Sequence, residues 1–160
     1  MSADQKKTGE KLIASNPIAR SNYFIEEVVE AGIVLTGTEV KSLRQHPPNL
    51  RDSFVDVESR KSGFEAWLIH AHIAPYSHGN IWNHAPLRKR KLLLHFYQLE
   101  KLHGAVLQKG MTIIPLRMYF KKGLVKLELG VGKGKKKYDK REDLKKKAAQ
   151  REMELGLATK

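Results

Sequence analysis

The sequence contains no cysteine, which excludes a disulfide framework, a zinc site with cysteine ligands and a cysteine nucleophile. No run of apolar residues approaches the roughly 18 that a membrane-spanning helix needs. The first nine residues are polar and lack the apolar segment of a signal peptide, so we expect none. Together these absences predict a cytoplasmic protein without a membrane span.

Acidic residues are also few. The chain has 17 aspartates and glutamates against 30 lysines and arginines, which gives a formal net charge of +13. Such a basic excess favours a polyanionic partner, with nucleic acid first and an anionic membrane surface second. Apolar residues make up 41% of the 160 residues, which is enough to form one folded core.

The positive charge is concentrated at the C-terminal end. Residues 132–160 contain eleven lysines and arginines and five acidic residues, a net charge of +6, with few large apolar side chains. We expect this segment to be mostly disordered alone and to order on a polyanion. The polar residues 1–10 are expected to be disordered as well.

Between these ends, short apolar runs alternate with turn signals. The pattern predicts strands at residues 23–35, 53–57, 64–69, 111–120 and 124–131, with a loop at 74–87. Thr36 and Glu39 have capping-box spacing and predict a helix over 37–44. Apolar residues three and four apart predict a second helix over 92–106.

Strands in hairpins with two helices between them, and without regular βαβ alternation, indicate a mainly β fold with flanking helices. The natural candidate is a small antiparallel, OB-like β-barrel over residues 11–131. A disordered N-terminus at 1–10 precedes it, and the basic tail at 132–160 follows it.

Four consecutive cations, Arg88, Lys89, Arg90 and Lys91, stand at the predicted start of the second helix. Cations there oppose the helix dipole, so helix stability does not explain them, whereas contact with RNA phosphates does. The alternative is a solvated basic turn. Leu93 cannot share a helix face with Leu92, so it either packs elsewhere or is an exposed apolar contact.

The stretch GVGKGKKK at residues 130–137 is rich in glycine and lysine but lacks the Gly-Lys-Ser/Thr signature of a P-loop. We interpret it as a flexible cationic hinge in which the backbone can approach phosphate closely. Tyr138, among cations, is a candidate for stacking on a base. The alternative interpretation is an inert, solubilising tail.

Histidines are the remaining candidates for metal chemistry. His70 and His72 are predicted to share one face of a strand, with His78 and His84 in the following loop. No carboxylate pattern or HExxH motif accompanies them, so a metal-dependent nuclease is a remote alternative. The sequence predicts no catalytic residues, no metal site and no cofactor.

Several segments together resemble the SmpB family, the SsrA-binding proteins that are bacterial partners of transfer-messenger RNA (tmRNA). They are YFIEE at 23–27, EAGI at 30–33, GTEVKSLR at 37–44, RKLLL at 90–94 and GKKKYDKR at 134–141. The resemblance runs from about residue 13 to residue 141. It implies an OB-like barrel without catalytic activity, whose C-terminal tail becomes helical on the ribosome.

The resemblance also implies a function. Such a protein binds the tRNA-like domain of tmRNA, promotes its alanylation and delivers it to the A site of stalled ribosomes. The tail occupies the decoding centre and the empty mRNA channel, and the nascent chain is tagged for proteolysis. Elongation factor Tu and alanyl-tRNA synthetase are implied partners through tmRNA, and a membrane is not.

Residue by residue, Asn16, Glu30, Leu93 and Lys126 match the family's tmRNA-binding positions. With the cationic run, the predicted tmRNA-binding set is Asn16, Glu30, Arg88, Lys89, Arg90, Lys91, Leu93 and Lys126. The predicted ribosome-binding tail comprises Lys133, Gly134, Lys135, Lys136, Lys137, Tyr138, Asp139, Lys140 and Arg141. Pro17, Ile18 and Ser21 depart from the family pattern near the N-terminus.

Overall fold

The structure, a computed structural model, describes residues 9–158. Its strands are β1 (Glu10–Ser15), β2 (Tyr23–Ile33), β3 (Phe54–Arg60), β4 (Gly63–Ile69), β5 (Arg90–Leu93), β6 (Thr112–Lys121) and β7 (Leu124–Gly134). Its helices are α1 (Ala19–Asn22), α2 (Gly37–Gln45), α3 (Phe96–Lys109) and α4 (Lys137–Ala158), with a 3-10 turn at Asn80–Trp82.

The strands form one antiparallel sheet in the order β1-β6-β3-β4-β5-β2-β7. β6 also pairs with β7, which brings the sheet round into a near-barrel ring. β1 lies on β6 beside this ring, through pairs from Glu10–Lys121 to Ser15–Arg117. The predicted class, mainly β with flanking helices, is confirmed.

The interior of the ring is apolar. Its fully buried side chains include Leu68, Ile113, Met118, Leu127 and Leu129. Leu43 of α2 and Leu102 of α3 belong to the same buried cluster, so these two helices pack against the ring. This burial is the main source of stability, because apolar area removed from water is the dominant favourable term in folding.

Local signals located several elements correctly. The Thr36 hydroxyl accepts from the Glu39 backbone N–H at 3.4 Å, and the Glu39 carboxylate accepts from the Thr36 N–H at 2.9 Å. This is the predicted capping box, and α2 begins at Gly37 as expected. The predicted β6–β7 hairpin is also present, with its turn at Lys122 and Gly123.

The prediction of a helix over residues 92–106 is wrong at its start. Residues 90–93 form strand β5, which pairs with Ala66–Leu68 of β4 and with Gly32 and Ile33 of β2. Burial alternates along it, with Arg90 and Leu92 inside and Lys91 and Leu93 outside, as in a strand with one buried face. The helix begins only at Phe96, so the cationic run does not stand at a helix N-terminus.

The prediction of a disordered C-terminal tail is wrong. Residues 137–158 form helix α4, and β7 continues to Gly134 before it. The N-terminal prediction lies mostly outside the described residues, but Glu10 opens β1, a strand that the sequence pattern did not indicate. Within the described residues, no helix is long and apolar enough to cross a membrane.

Candidate nucleic-acid interface

A groove of about 700 Å³ lies between β2, the end of β5, the start of α3 and β7. Three of the predicted tmRNA-binding residues line it: Glu30, Leu93 and Lys126. Tyr97 and Lys101 of α3 form part of its wall. The groove therefore combines an apolar surface with groups of both charges.

Strand register explains why these residues meet. Gly32 of β2 is the direct partner of Leu93 on β5 and of Lys126 on β7. A Cβ atom at Gly32 would lie 3.2 Å from the Leu93 Cβ and 3.6 Å from the Lys126 Nζ. The missing side chain therefore leaves room for both neighbours at the groove floor. Leu93 stays 55% exposed, which leaves it available for contact.

Glu30 is held as an anion at this site. The Tyr119 hydroxyl donates to its carboxylate, and the Lys121 Nζ lies 3.2 Å from its Oε2. The hydrogen bond from Tyr119, followed by Lys121 and Lys126, lowers the Glu30 pKa against the opposing effect of burial. In turn, burial and the bond to Glu30 raise the Tyr119 pKa. An ionised carboxylate repels phosphate, but it can accept hydrogen bonds from base or ribose donors.

The cationic run has divided roles. Arg90 is fully buried, and its guanidinium pairs with Glu39 and donates to the carbonyls of Ala71 at 2.8 Å and Pro86 at 3.1 Å. Arg88 pairs with the same carboxylate. Burial raises the Glu39 pKa, but the hydrogen bonds from Arg88, Thr36 and Arg90 outweigh it, and the pKa is lowered.

This network fastens the β4–β5 loop to α2, and it leaves Arg90 inaccessible to a phosphate. By contrast, Lys91 is exposed and points away from the core. Lys89 is exposed too, with its Nζ 4.4 Å from the centre of the Trp67 ring.

Asn16 also lies inside the protein. Only 8% of it is exposed, and its Nδ2 donates to the carbonyls of Leu50 at 3.2 Å and Pro115 at 3.0 Å. Its backbone N–H donates to Leu116 at 2.8 Å. The side chain thus ties the end of β1 to β6 and to the segment before β3.

The root of the tail is attached to the barrel. The Lys135 N–H donates to the Asn22 carbonyl at 2.8 Å, and its ammonium lies 4.8 Å from the centre of the Phe24 ring. The same ammonium pairs with Asp143 of α4, which lowers the Asp143 pKa. Beyond this root the helix is open to solvent, and Tyr138 is 71% exposed.

The groove and the tail lie at opposite ends of the β2–β7 pair. The register runs from Tyr23–Gly134 at the tail to Gly32–Lys126 at the groove. Nine residues of extended chain separate these positions, which corresponds to about 30 Å. The side chains around Gly32 and those of the tail therefore lie on two separate surfaces.

The histidines do not form the predicted arrangement. His70 follows β4 with a φ of 63°, so it does not share a strand face with His72. His84 instead contacts the Thr38 hydroxyl and the Ile73 carbonyl, each at 2.9 Å. Across residues 9–158, no three histidine or acidic side chains are grouped as metal ligands.

Comparison with known proteins identifies the family. The model of the family described as SmpB protein matches residues 13–159. The chain belongs to the SmpB family. An SsrA-binding protein of Anoxybacillus flavithermus is 58% identical over 90% of this chain and 91% of its own length. One of Pelobacter propionicus is 56% identical over 95% and 97%.

The SmpB fold is supported by a solved structure. A chain from a structure described as tmRNA-SmpB at the center of the bacterial ribosome is 44% identical to this chain, with a TM-score of 0.63. The match covers 82% of this chain and 93% of that one.

Sequence reasoning missed several residues that shape this SmpB groove or hold its side chains. Tyr119 and Lys121 hold the Glu30 carboxylate, and Gly32 keeps the floor open. Their roles depend on pairings between strands distant in sequence, so no local pattern signals them. The strand that presents Leu93 had no clear signal either, because residues 90–93 are two cations followed by two leucines and only their burial alternates.

Proposed function

We propose that this chain is an RNA-binding adaptor of trans-translation: it binds SsrA RNA (tmRNA) through the tRNA-like domain and brings it to stalled ribosomes. It promotes alanylation of the RNA without chemistry of its own. The observation that carries the proposal is the meeting of Glu30, Leu93 and Lys126 in one groove of an SmpB-family chain. Close relatives that are SsrA-binding proteins support it.

The groove suits an RNA loop better than a regular duplex. Lys126 provides a cation for phosphate, Leu93 offers an apolar surface for a base, and Glu30 accepts from base or ribose donors. Sequence-specific recognition of RNA mainly uses unpaired nucleotides that expose their edges and faces. Lys89 and Lys91 add cations beside the groove strand. We leave Arg90 and Asn16 out of the contact set, because their side chains are buried and bonded within the protein.

The tail serves the second surface. We propose that α4 and its root, from Lys133 to Arg141, enter the decoding centre and the empty mRNA channel. Gly32, on the groove floor, lies about 30 Å along β2 from the strand end where the tail begins, so one molecule can hold tmRNA and reach the ribosome at the same time. Exposed Tyr138, among cations, supports base stacking at this surface.

The finer architecture belongs to the same proposal. The ring of antiparallel strands supports an OB-like barrel over residues 11–131, with residues 132–160 as the ribosome-binding segment. The setting is the bacterial cytoplasm, where elongation factor Tu and alanyl-tRNA synthetase act on the same tmRNA.

The test is a titration of the purified protein against labelled tRNA-like domain of tmRNA, with excess bulk tRNA as competitor. We expect binding that resists the competitor. Lys126→Gln should weaken it about tenfold, because one phosphate contact and its counterion release are lost. Lys109→Gln is the matched control: it removes the same charge about 18 Å from Tyr97 along α3, and it should bind normally.

Two results would contradict the proposal. If excess bulk tRNA displaces the labelled RNA from the wild-type protein, the chain is a general basic RNA-binding protein. If the folded Lys126 and Lys109 variants bind the RNA with equal affinity, the groove is not part of the RNA interface.

A further inference from the structure

The loop between β4 and β5 presents two large apolar side chains to solvent. Ile81 is 85% exposed and Trp82 is 83% exposed. No other large apolar side chain among those described is as open. The groove and the tail do not use either residue, so their exposure has no explanation in the function proposed above.

The loop is held in a fixed conformation. The Asn83 amide bridges the loop: it accepts from the Tyr76 N–H at 3.0 Å and donates to the Tyr76 carbonyl at 2.6 Å. His84 fastens the next position to α2 through Thr38 at 2.9 Å, and Arg90 holds the Pro86 carbonyl at 3.1 Å. Trp82 is therefore presented on a preorganised support, and little conformational entropy would be lost on binding.

The charge around the loop indicates the class of partner. Residues 66–99 contain no aspartate or glutamate, although the chain has 17 such residues, and they include five histidines and the exposed cations Lys89 and Lys91. An exposed indole in an acid-free, basic stretch matches a nucleic acid, whose bases stack on aromatic rings while cations neutralise its backbone.

The course of the chain indicates which RNA is within reach. Residues 88–91 lead directly from the loop into β5, and Leu93 at the end of that strand lines the groove. From Arg88 to Leu93 the extended chain covers about 17 Å. The tail, by contrast, leaves from the far end of the β2–β7 pair.

We propose that Trp82 stacks on an unpaired base of the tRNA-like domain whose neighbouring nucleotides occupy the groove. The loop is thus a third contact, one that adds affinity through the face of a base. The identity of the RNA rests on the function proposed above, whereas the stacking contact is tested separately.

The experiment compares Trp82→Ala and Trp82→Phe in the full chain by anisotropy with labelled tRNA-like domain. Trp82→Ala should bind about tenfold more weakly, and Trp82→Phe should stay within about threefold of the wild type, because a phenyl ring still stacks. The salt dependence of Trp82→Ala should match the wild type, since stacking releases no counterions. The control is Leu107→Ala, which removes a 70% exposed apolar side chain about 15 Å along α3 from Tyr97 and should have no effect.

Fluorescence gives a direct readout. The protein has two tryptophans, and Trp67 is partly buried beneath Lys89. RNA should quench the wild-type emission through Trp82, and this quenching should be lost in Trp82→Phe. Unchanged affinity of Trp82→Ala, or equal quenching in both proteins, would overturn the proposal. So would a defect of Trp82→Ala confined to ribosome binding. Failure of the proposed function would be distinguishable from failure of the stacking contact. In the first case bulk tRNA would displace the tRNA-like domain from the wild-type protein.

Discussion

At the scale of single residues, the same residue type has opposite roles according to burial. Arg90 and Lys91 are neighbours on β5, yet Arg90 is enclosed in a network with Glu39 while Lys91 faces solvent. Removal of one partner of a buried ion pair leaves an uncompensated charge, which costs more than the pair itself contributes. The Arg90 network should therefore be critical for folding.

We expect Glu39→Gln to lower the free energy of unfolding by about 3 kcal/mol, because Arg90 loses its counter-charge inside the protein. The measurement is urea denaturation at pH 7. Exposed Glu26, changed to Gln, is the control and should shift stability by less than about 0.5 kcal/mol. A Glu39 variant as stable as the control would show that the pair is not stabilising.

The same substitution has a pH signature. The folded-state pKa of Glu39 lies below its usual value, so the unfolded chain binds this proton more readily. Its contribution to stability is complete above the unfolded pKa and is lost as pH falls through the folded pKa. Denaturation below pH 5 should accordingly show a weaker loss of stability with acid in Glu39→Gln than in the wild type.

Gly132 gives a second prediction at this scale. A Cβ atom there would lie 1.9 Å from the Phe24 carbonyl oxygen of the paired strand, so the strands would have to separate. Gly132→Ala should cost about 3 kcal/mol or more in thermal or urea denaturation. Gly134→Ala, two residues further on, meets only the Tyr23 ring at 3.9 Å and should be tolerated. Similar stabilities of the two variants would contradict the close approach.

At the scale of elements, β7 and α4 are joined by a short, anchored root. Lys135 contacts both Phe24 and Asp143, so the helix leaves the barrel in a defined direction. The barrel itself gains few contacts from α4, whose apolar side chains Leu144 and Met153 are 66% and 69% exposed. Loss of α4 should leave the ring intact.

Truncation after Lys136 should remove the function of the tail and preserve that of the groove. Binding to the tRNA-like domain should stay within about threefold of the full chain, because the groove is untouched, whereas tagging of stalled nascent chains should stop. Anisotropy and a reconstituted translation reaction measure the two outcomes. A truncated protein that still supports tagging, or one that no longer binds the RNA at moderate salt, would contradict this division.

At the scale of the whole molecule, the net charge of +13 acts on every RNA encounter. Phosphate neutralisation releases counterions, so affinity for any RNA should fall as salt rises. We expect specificity to come from the groove, because the charge does not distinguish one RNA from another.

We therefore expect the preference for the tRNA-like domain over bulk tRNA to grow as salt rises from about 50 to 200 mM. The logarithm of the binding constant should fall more steeply for bulk tRNA than for the specific domain, since bulk binding depends on phosphate contacts alone. Titrations of both RNAs over this range measure the slopes. If the preference disappears at high salt, recognition depends on charge alone.

The sequence predicted the elements that depend on near neighbours. Thr36 and Glu39 are three residues apart, so the capping box is visible without any tertiary contact. β5 was misassigned because its four residues are too few to show a period clearly, and its Leu92 matched the spacing of α3. Its true partners, Gly32 and Ala66, lie far away along the chain.

By itself, the sequence determined the net charge, its concentration beyond residue 132, the main hairpins and the resemblance to the SmpB family. These are properties of composition and of residues close together along the chain. Only the tertiary structure decided that Glu30, Leu93 and Lys126 share a groove, and that Asn16 and Arg90 are buried. The physical reason is strand pairing: closure of the ring juxtaposes β2, β5 and β7, and no local propensity specifies that register.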